Sequence, residues 1–356
     1  MGAVSRHGRT AVSRTAPSRI RRILLVRTDR IGDVVLSLPM LPALRRRFPD
    51  ASVTVLVRPY TADLVRNRPD IDDVMLWEGE GMARVVGYVR RLRERSYDLC
   101  ILPYPRFELA LIAFLAGIPV RVGTGYRWYS FLFNERVYEH RKDARRHEAE
   151  YNLNLLRVVG ADVPVPLQVT LTVPGDVQHA MDARLTELGV GDFIVLHPGS
   201  GGSARDWPVE HFTELAVRAK GRLGCSVVLT GSEHERSLTS AIAGAASPGV
   251  VDLAGRLSLL ELAALYSRAR AFAANSTGPL HIAAAVGAPV LGFYPPITQC
   301  SPARWGPYTH RRRVLTGDNA DCPLCKGTPC RGAVCMERIT VERALDALTE
   351  LYHEPR

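Results

Sequence analysis

Asn275, Ser276, Thr277, Gly278 and Pro279 are the residues of this chain whose types and spacing bear most directly on chemistry. They lie in ANSTGPLHIAAAVGAPVLGFYP, which reads as the end of a buried strand, a small polar turn, a helix and a further strand. Pro279 suits a first helical position. Such a turn leaves backbone N–H groups free at a helix N-terminus, where the helix dipole favours an anion, and a diphosphate has the right size. Ser and Thr also favour ordinary helix caps, so a cap and a phosphate site stay open as equal readings of this segment alone.

The elements that must position this turn follow a repeated grammar. Strands are expected at Ile23–Val26, Val53–Val57, Val74–Trp77, Leu99–Leu102 and Val120–Val122, then at Phe193–Leu196, Val227–Thr230, Val251–Leu253, Ala271–Ala274 and Val290–Phe293. Helical stretches alternate with them, and Pro39 and Pro42 must kink or divide the first. Short apolar strands alternating with helices predict an α/β protein with two parallel sheets covered on both faces. GADVPVPLQVTLTVPG, residues 160–175, is rich in Pro and Val and suits an extended connection. Ligands of open parallel sheets bind beyond the carboxyl ends of strands. Polar turns follow strands in this way four times, as RTDRIGD, HPGSGGSARDWP, TGSEHE and NSTGPLH. Four such turns in two matched halves favour a common cleft over four unrelated loops.

The chain resembles glycosyltransferase family 9, whose heptosyltransferases attach ADP-activated heptose to the lipopolysaccharide core. The resemblance runs from about Arg21 to Tyr352 and is carried by RTDRIGDVVLSLPMLPALRRRFP, LHPGSGGSARDWPVEHFTELA, LAGRLSLLELAALYSRA and ANSTGPLHIAAAVGAPVLGFYP, in matching order and spacing. It implies the GT-B architecture: two facing Rossmann-like domains with parallel sheets and an interdomain cleft, acceptor mainly on the first, nucleotide sugar mainly on the second. The implied reaction is inverting and metal-independent, with no cofactor. The expected divisions are a basic arm over 1–20, an acceptor domain over 21–165, a nucleotide-sugar domain over 176–335, and a final helix within 336–356 packing back on the first domain.

The resemblance assigns Asp33 as catalytic base for the attacking acceptor hydroxyl, a job for which a positioned carboxylate is suited; capping of its own helix is the alternative. Gly32 would allow close backbone approach to substrate. Arg27 and Arg30 are candidates for acceptor phosphates or carboxylates, and equally for surface charges. In the second half, Ser200, Gly201, Gly202 and Ser203 are placed beside the donor phosphates. Arg205 would counter the charge of the departing diphosphate, at a position where the family often has Lys. Glu235 matches an acidic position near the nucleotide, with an exposed helix-surface role as its alternative. Ser276, Thr277 and Gly278 match a turn that many members write Asp-Thr-Gly. The serine removes a charged acceptor for sugar hydroxyls and leaves the donor sugar open. His281 is within reach of phosphate, or is a packed core histidine.

Composition bounds the alternatives. The chain has 356 residues, 46% hydrophobic and 23% charged, enough for two soluble domains. It shows neither a membrane-span-length apolar run nor a signal-peptide pattern, so the sequence predicts a cytoplasmic protein. The net charge of +10 comes largely from arginine, clustered before Ile23, at Arg45–Arg47, within Arg90–Arg95 and at Arg311–Arg313. With no zinc-finger, RNP or basic-zipper pattern, nucleic acid is not an expected partner. Anionic lipid headgroups are, through peripheral contact with the inner face of the cytoplasmic membrane. The expected partners are otherwise a nucleotide-diphosphate sugar, ADP-heptose by resemblance, and a lipid-linked saccharide acceptor. Seven cysteines include Cys322, Cys325, Cys330 and Cys335, spaced either for a structural zinc or simply for a rigid loop. A nucleotide-sugar epimerase and a non-catalytic basic binding protein stay open as rival functions.

Overall fold

The computed structural model describes residues 20–161, 167–318 and 334–355. They form two compact units. Residues up to Asp29, Pro39–Glu139 and Ala149–Leu167 make the first; Arg30–Leu38, His140–Glu148 and the residues from Gln168 onward make the second. The sequence expectation puts Arg30–Leu38 in the first domain. It groups with the second because the helix Ile31–Val35 packs against the helix Gly278–Ala285.

The first unit holds β1 (Arg22–Arg27), β2 (Ser52–Val57), β3 (Asp73–Leu76), β4 (Leu99–Ile101), β5 (Val120–Thr124) and β6 (Glu135–Val137), all parallel, in the order β3-β2-β1-β4-β5-β6. The second holds β7 (Phe193–His197), β8 (Ser226–Leu229), β9 (Val250–Asp252), β10 (Ala271–Asn275), β11 (Val290–Tyr294) and β12 (Arg312–Thr316), in the order β12-β11-β10-β7-β8-β9. Renumbered from its own first strand, the second sheet repeats the topology of the first, the doubly wound order of a Rossmann fold. Central strands such as β7, β10 and β11 are buried at every position because helices cover both faces, and their sequences are accordingly almost wholly apolar.

Ten of these strands match the sequence expectation within a residue or two; β6 and β12 do not, because each is a partly exposed edge strand that carries charged residues, Glu135 and Arg136 in β6 and Arg312 and Arg313 in β12. The proline-rich first helix is divided as expected, into Ile31–Val35 and Met40–Arg47, with Pro39 at the second N-cap. The last helix, Val341–His353, differs from expectation. Its apolar stripe of Val341, Ala344, Leu345, Leu348 and Leu351 packs on the helix Val209–Leu223 and on β10, β11 and β12, inside the second core. Arg222 pairs with Asp346 at 2.7 Å on the rim of this contact. Among the described residues no helix is long and apolar enough to cross a membrane.

Candidate active site

The loops at the carboxyl ends of β7, β8 and β10 are tied to one another by side-chain hydrogen bonds. Asn275 ends β10 with no exposed surface; its Nδ2 donates to the carbonyl of Pro198 at 2.6 Å and its Oδ1 accepts the backbone N–H of Trp207 at 2.8 Å. The Trp207 indole in turn donates to the Ile339 carbonyl at 2.8 Å, so the C-terminal segment is anchored to the same point. From the sequence Asn275 is expected only as a turn residue.

Glu235 joins the loops after β7 and β8. One carboxylate oxygen accepts from the Ser232 N–H at 2.7 Å and the Ser232 hydroxyl at 2.8 Å, and the other from the Gly201 N–H at 3.2 Å. A Cβ on Gly199 would fall 1.9 Å from Glu235 Oε1, so the loop closes over this carboxylate. Burial alone would raise the carboxyl, but the Ser232 hydrogen bonds, His197 and the Gly201 amide outweigh it and hold Glu235 below the ordinary carboxylate range. His197, buried at the end of β7 with Nδ1 3.0 Å from the Thr230 hydroxyl, is pushed down by burial against the opposing charge of Glu235. Gly201 and Gly202 have φ of +55° and +73°, a backbone turn suited to glycine.

The helix Gly278–Ala285 begins after Thr277, whose extended backbone ends the turn, and no side-chain hydrogen bond caps it. Against this N-terminus lies the helix Ile31–Val35. Backbones touch here: a Cβ on Gly278 would stand 2.7 Å from Ile31 Cβ, and one on Gly32 would stand 2.7 Å from His281 Cδ2. Asp33 is the third residue of its helix, while Arg30 holds the N-cap position without making a side-chain cap, so Asp33 is not the cap that the alternative reading required.

These approaches enclose a cavity of about 190 Å³ within the second unit. Arg30, Gly32 and Asp33 line one part of it; Ser203, Ser276, Thr277, Gly278 and His281 line another. Arg30 is fixed there by a hydrogen bond from Nη1 to the Ser203 hydroxyl at 3.0 Å. Cys300 and Trp305 complete the lining and were not singled out from the sequence; their position after β11, one more strand carboxyl end, was the available signal. The Trp305 segment is held by its indole N–H on the Gln299 carbonyl at 3.0 Å and by the Tyr294 hydroxyl on the Trp305 carbonyl at 2.8 Å. His281 is buried, its Nδ1 has no hydrogen-bond partner among the described residues, and burial together with His147 pushes its pKa down to about 3. A neutral imidazole faces the cavity.

Other sequence candidates lie elsewhere. Arg27 is buried and paired with Asp29 at 3.1 Å, which removes it from any exposed acceptor surface. Ser200, Gly201, Gly202 and Glu235 build the loop behind Ser203 and do not line the cavity. Arg205 is also outside the lining, its Nη1 4.0 Å from the Cys335 sulfur, although its charge reaches Cys300. Arg45 and Arg47 are engaged internally, Arg45 with Asp72 and the Ala51 carbonyl and Arg47 with the Val159 carbonyl at 3.3 Å, while Arg46 between them is exposed. Cys322, Cys325 and Cys330 lie outside the described residues; Cys335 is a buried free thiol.

Residues 85–334 match glycosyltransferase family 9 (heptosyltransferase). The chain belongs to glycosyltransferase family 9. Among curated relatives of this family 9 chain, the lipopolysaccharide heptosyltransferase 2 of Salmonella typhimurium is 29% identical over 351 residues, covering 94% of this chain and 99% of the relative. A glycosyl transferase family 9 structure from Veillonella parvula superposes with a TM-score of 0.82 at 21% identity over 94% of this chain and 98% of that one. The ADP-heptose lps heptosyltransferase II of E. coli superposes at 0.76 and 24% identity, covering 93% and 98%. The family 9 protein thus has the α/β GT-B fold and is a glycosyltransferase, and the rival readings as an epimerase or a non-catalytic binding protein give way.

Proposed function

We propose that this family 9 enzyme transfers a heptosyl residue from ADP-heptose to a lipopolysaccharide-core or related lipid-linked acceptor, with inversion and without a metal ion. The observation that carries the reading is the placement of Asp33 in the same cavity as the uncapped N-terminus of the helix Gly278–Ala285. The N-terminus offers backbone N–H groups and the positive end of a dipole to a diphosphate. Arg30, held on Ser203, adds a full positive charge, so amides and a guanidinium together supply the stabilisation that a divalent cation would otherwise give to the leaving group. Arg30 takes this place ahead of Arg205, which does not line the cavity.

Asp33 is the one carboxylate among the residues lining the cavity. A double displacement needs a nucleophile and a separate acid–base group, whereas a single base suits direct attack. In the proposed step the acceptor hydroxyl gives its proton to the Asp33 carboxylate as its oxygen bonds to the anomeric carbon. The bond from that carbon to the diphosphate oxygen breaks, and ADP leaves with the electron pair on the opposite face. The relatives named for ADP-heptose and for lipopolysaccharide support the choice of donor and acceptor. An acceptor of that kind places the enzyme peripherally at the inner face of the cytoplasmic membrane, and the net charge of +10 is compatible with this.

Turnover of ADP-heptose with lipopolysaccharide-core acceptor by the Asp33→Asn protein tests the assignment. kcat is expected to fall by about 10²- to 10⁴-fold. The thermal shift given by ADP should persist, because Asp33 acts on the acceptor. Undiminished kcat removes Asp33 from the mechanism, retention of anomeric configuration in the product refutes direct displacement, and loss of turnover with a chelator refutes metal independence.

A further inference from the structure

The helix Phe107–Leu115, between β4 and β5 of the first unit, has an unusual composition for a surface helix. Its sequence is FELALIAFL, apolar at every position but Glu108, and a helix apolar on all sides belongs in a protein core or a bilayer. Leu109, Ala110, Ile112 and Ala113 do face the core. The outward face is Phe107, Leu111, Phe114 and Leu115, at helical spacing, with Leu111 half-buried and the other three 41 to 45% exposed. Glu108 does not break this face, because Arg84 holds its two oxygens at 2.7 and 2.8 Å. The patch continues sideways. Trp128, 74% exposed, stacks on Phe107 with centroids 4.9 Å apart, and Phe131, 63% exposed, stands on the turn Ser130–Leu132, which packs against the same helix. Exposed apolar patches with polar rims mark protein or membrane contacts.

The rim of this patch is arginine without carboxylate partners. Arg93 donates Nη2 to the Leu115 carbonyl at 2.8 Å, and Arg121 lies over the Phe114 ring at 5.3 Å while its Nε donates to the Leu132 carbonyl at 2.7 Å. Arg91, on the neighbouring helix Gly81–Arg95, lies over the Tyr88 ring at 5.3 Å. Among the described residues none of these three forms an ion pair, whereas Arg84, Arg90 and Arg95 of the same helix do. Carbonyls and ring faces leave their charge uncompensated, and burial pulls Arg121 below the ordinary guanidinium range. A phosphodiester would supply the missing charge and match the guanidinium fork. The surface therefore combines an apolar centre with a demand for anionic oxygen at its edge. A bilayer interface with acidic headgroups meets both, and the net charge of +10 draws the protein the same way.

We infer that the outward face of the helix Phe107–Leu115, with Trp128 and Phe131, docks on an anionic bilayer: Phe114, Leu115 and Phe131 enter the boundary between headgroups and acyl chains, Trp128 sits at headgroup level, and Arg91, Arg93 and Arg121 bind lipid phosphates at the edge. This deepens the proposed function by naming the surface that meets the membrane, and it rests on that reading for the lipid-linked acceptor that makes a membrane contact useful. Indole rings favour this depth, and long arginine stems let the charge reach the headgroups while the carbons stay among apolar neighbours. Binding should weaken with added salt and be weaker on neutral vesicles than on acidic ones.

The test is co-sedimentation of the full chain with phosphatidylcholine–phosphatidylglycerol vesicles. Phe114→Glu is expected to weaken partitioning by about tenfold to a hundredfold, since a buried ring is lost and a charge faces the lipid. Joint replacement Arg91→Gln and Arg93→Gln is expected to weaken it by roughly tenfold to thirtyfold. Lipids brominated high on the acyl chain should quench tryptophan emission of the bound wild-type protein, and Trp128→Phe should remove that quenching. The thermal shift given by ADP, and turnover on a lipid-free core oligosaccharide, should be the same in all proteins, which shows the fold and donor cavity intact. Wild-type partitioning in both Phe114→Glu and the arginine double variant overturns the docking face and leaves the proposed function standing. So does a wild-type protein that turns over the lipid-free acceptor yet fails to sediment with the vesicles. A wild-type dimer that becomes a monomer in Phe114→Glu makes this face a contact between copies and overturns the bilayer as its occupant. Partitioning lost in both variants, with no turnover of any core acceptor by the wild-type protein, supports the docking face and sinks the proposed acceptor instead.

Discussion

His281 occupies the space that a side chain on Gly32 would need, its Cδ2 atom 2.7 Å from where a Cβ would be. On the other side of the same contact a Cβ on Gly278 would meet Ile31 Cβ at 2.7 Å. Backbone approach thus fixes where Asp33 stands relative to the Thr277 turn. Gly32→Ala must push the helix Ile31–Val35 outward or displace a buried imidazole. Such overpacking costs about 1–3 kcal/mol, and a displacement near 1 Å can lower turnover by about 10². Steady-state turnover and thermal unfolding of Gly32→Ala check this, with His281→Ala in the same chain expected to restore part of the stability. Wild-type kcat in Gly32→Ala would mean that the contact does not position Asp33.

The two buried imidazoles should make stability depend on pH. His281 is pushed down to about 3 by burial and His147, and His197 is lowered by burial against Glu235. In the unfolded chain each takes up a proton near the ordinary value of about 6.5, while the folded protein leaves them neutral. The stability they contribute is complete above that value and is lost as pH falls from about 6.5 toward the folded-state values, at up to about 1.4 kcal/mol per pH unit for each. Urea unfolding at about pH 7.5 and about pH 5.5 should show the fall, and His281→Gln should reduce its slope by roughly half. An unchanged slope in that variant would show that His281 is protonated in the folded protein.

The sequence made the sheets legible where burial is two-sided, as in β7 and β10, since an all-apolar run bounded by polar turns has few other solutions. It hid β6 and β12 because an edge strand pairs on one side only and can carry Glu135, Arg136, Arg312 and Arg313. The turns ending central strands hold Asp33, Thr277 and Gly278, which line one cavity. Residue type could not tell Arg30, which lines it, from Arg27, which is buried beside Asp29, because that difference arises from where the chain leaves β1. Nor could it show that Glu235 supports a loop, since its partner Gly201 is thirty-four residues away and offers only a backbone N–H.

That placement of Glu235 has a kinetic consequence. Its carboxylate accepts from Ser232 and Gly201 and lies under Gly199, so it shapes the Ser200–Ser203 loop without lining the cavity. Glu235→Ala should free that loop and weaken donor binding by roughly tenfold to a hundredfold, the worth of hydrogen bonds to a charged group. Because the reacting atoms are not touched, KM for the donor should rise more than kcat falls. A fall in kcat with KM unchanged would instead put Glu235 in the chemical step.

Asn275 should be the most sensitive polar position of the second unit. Its amide gives one hydrogen to the Pro198 carbonyl and its oxygen takes one from the Trp207 N–H, with no exposed surface to admit solvent. Asn275→Ala strands both backbone groups, and each unsatisfied buried group costs about 1–3 kcal/mol. Asn275→Asp keeps the acceptor for Trp207 but turns the donor into an oxygen facing the Pro198 carbonyl, so it should be at least as damaging at neutral pH and should recover as the carboxyl is protonated. Urea unfolding of both variants across pH separates the cases. Loss of stability in Asn275→Ala with recovery of Asn275→Asp in acid locates the effect in the donated hydrogen bond, beyond the acid sensitivity that the buried imidazoles give every variant. Stability within about 0.5 kcal/mol of wild type for either variant would mean that the three loops hold together without this amide.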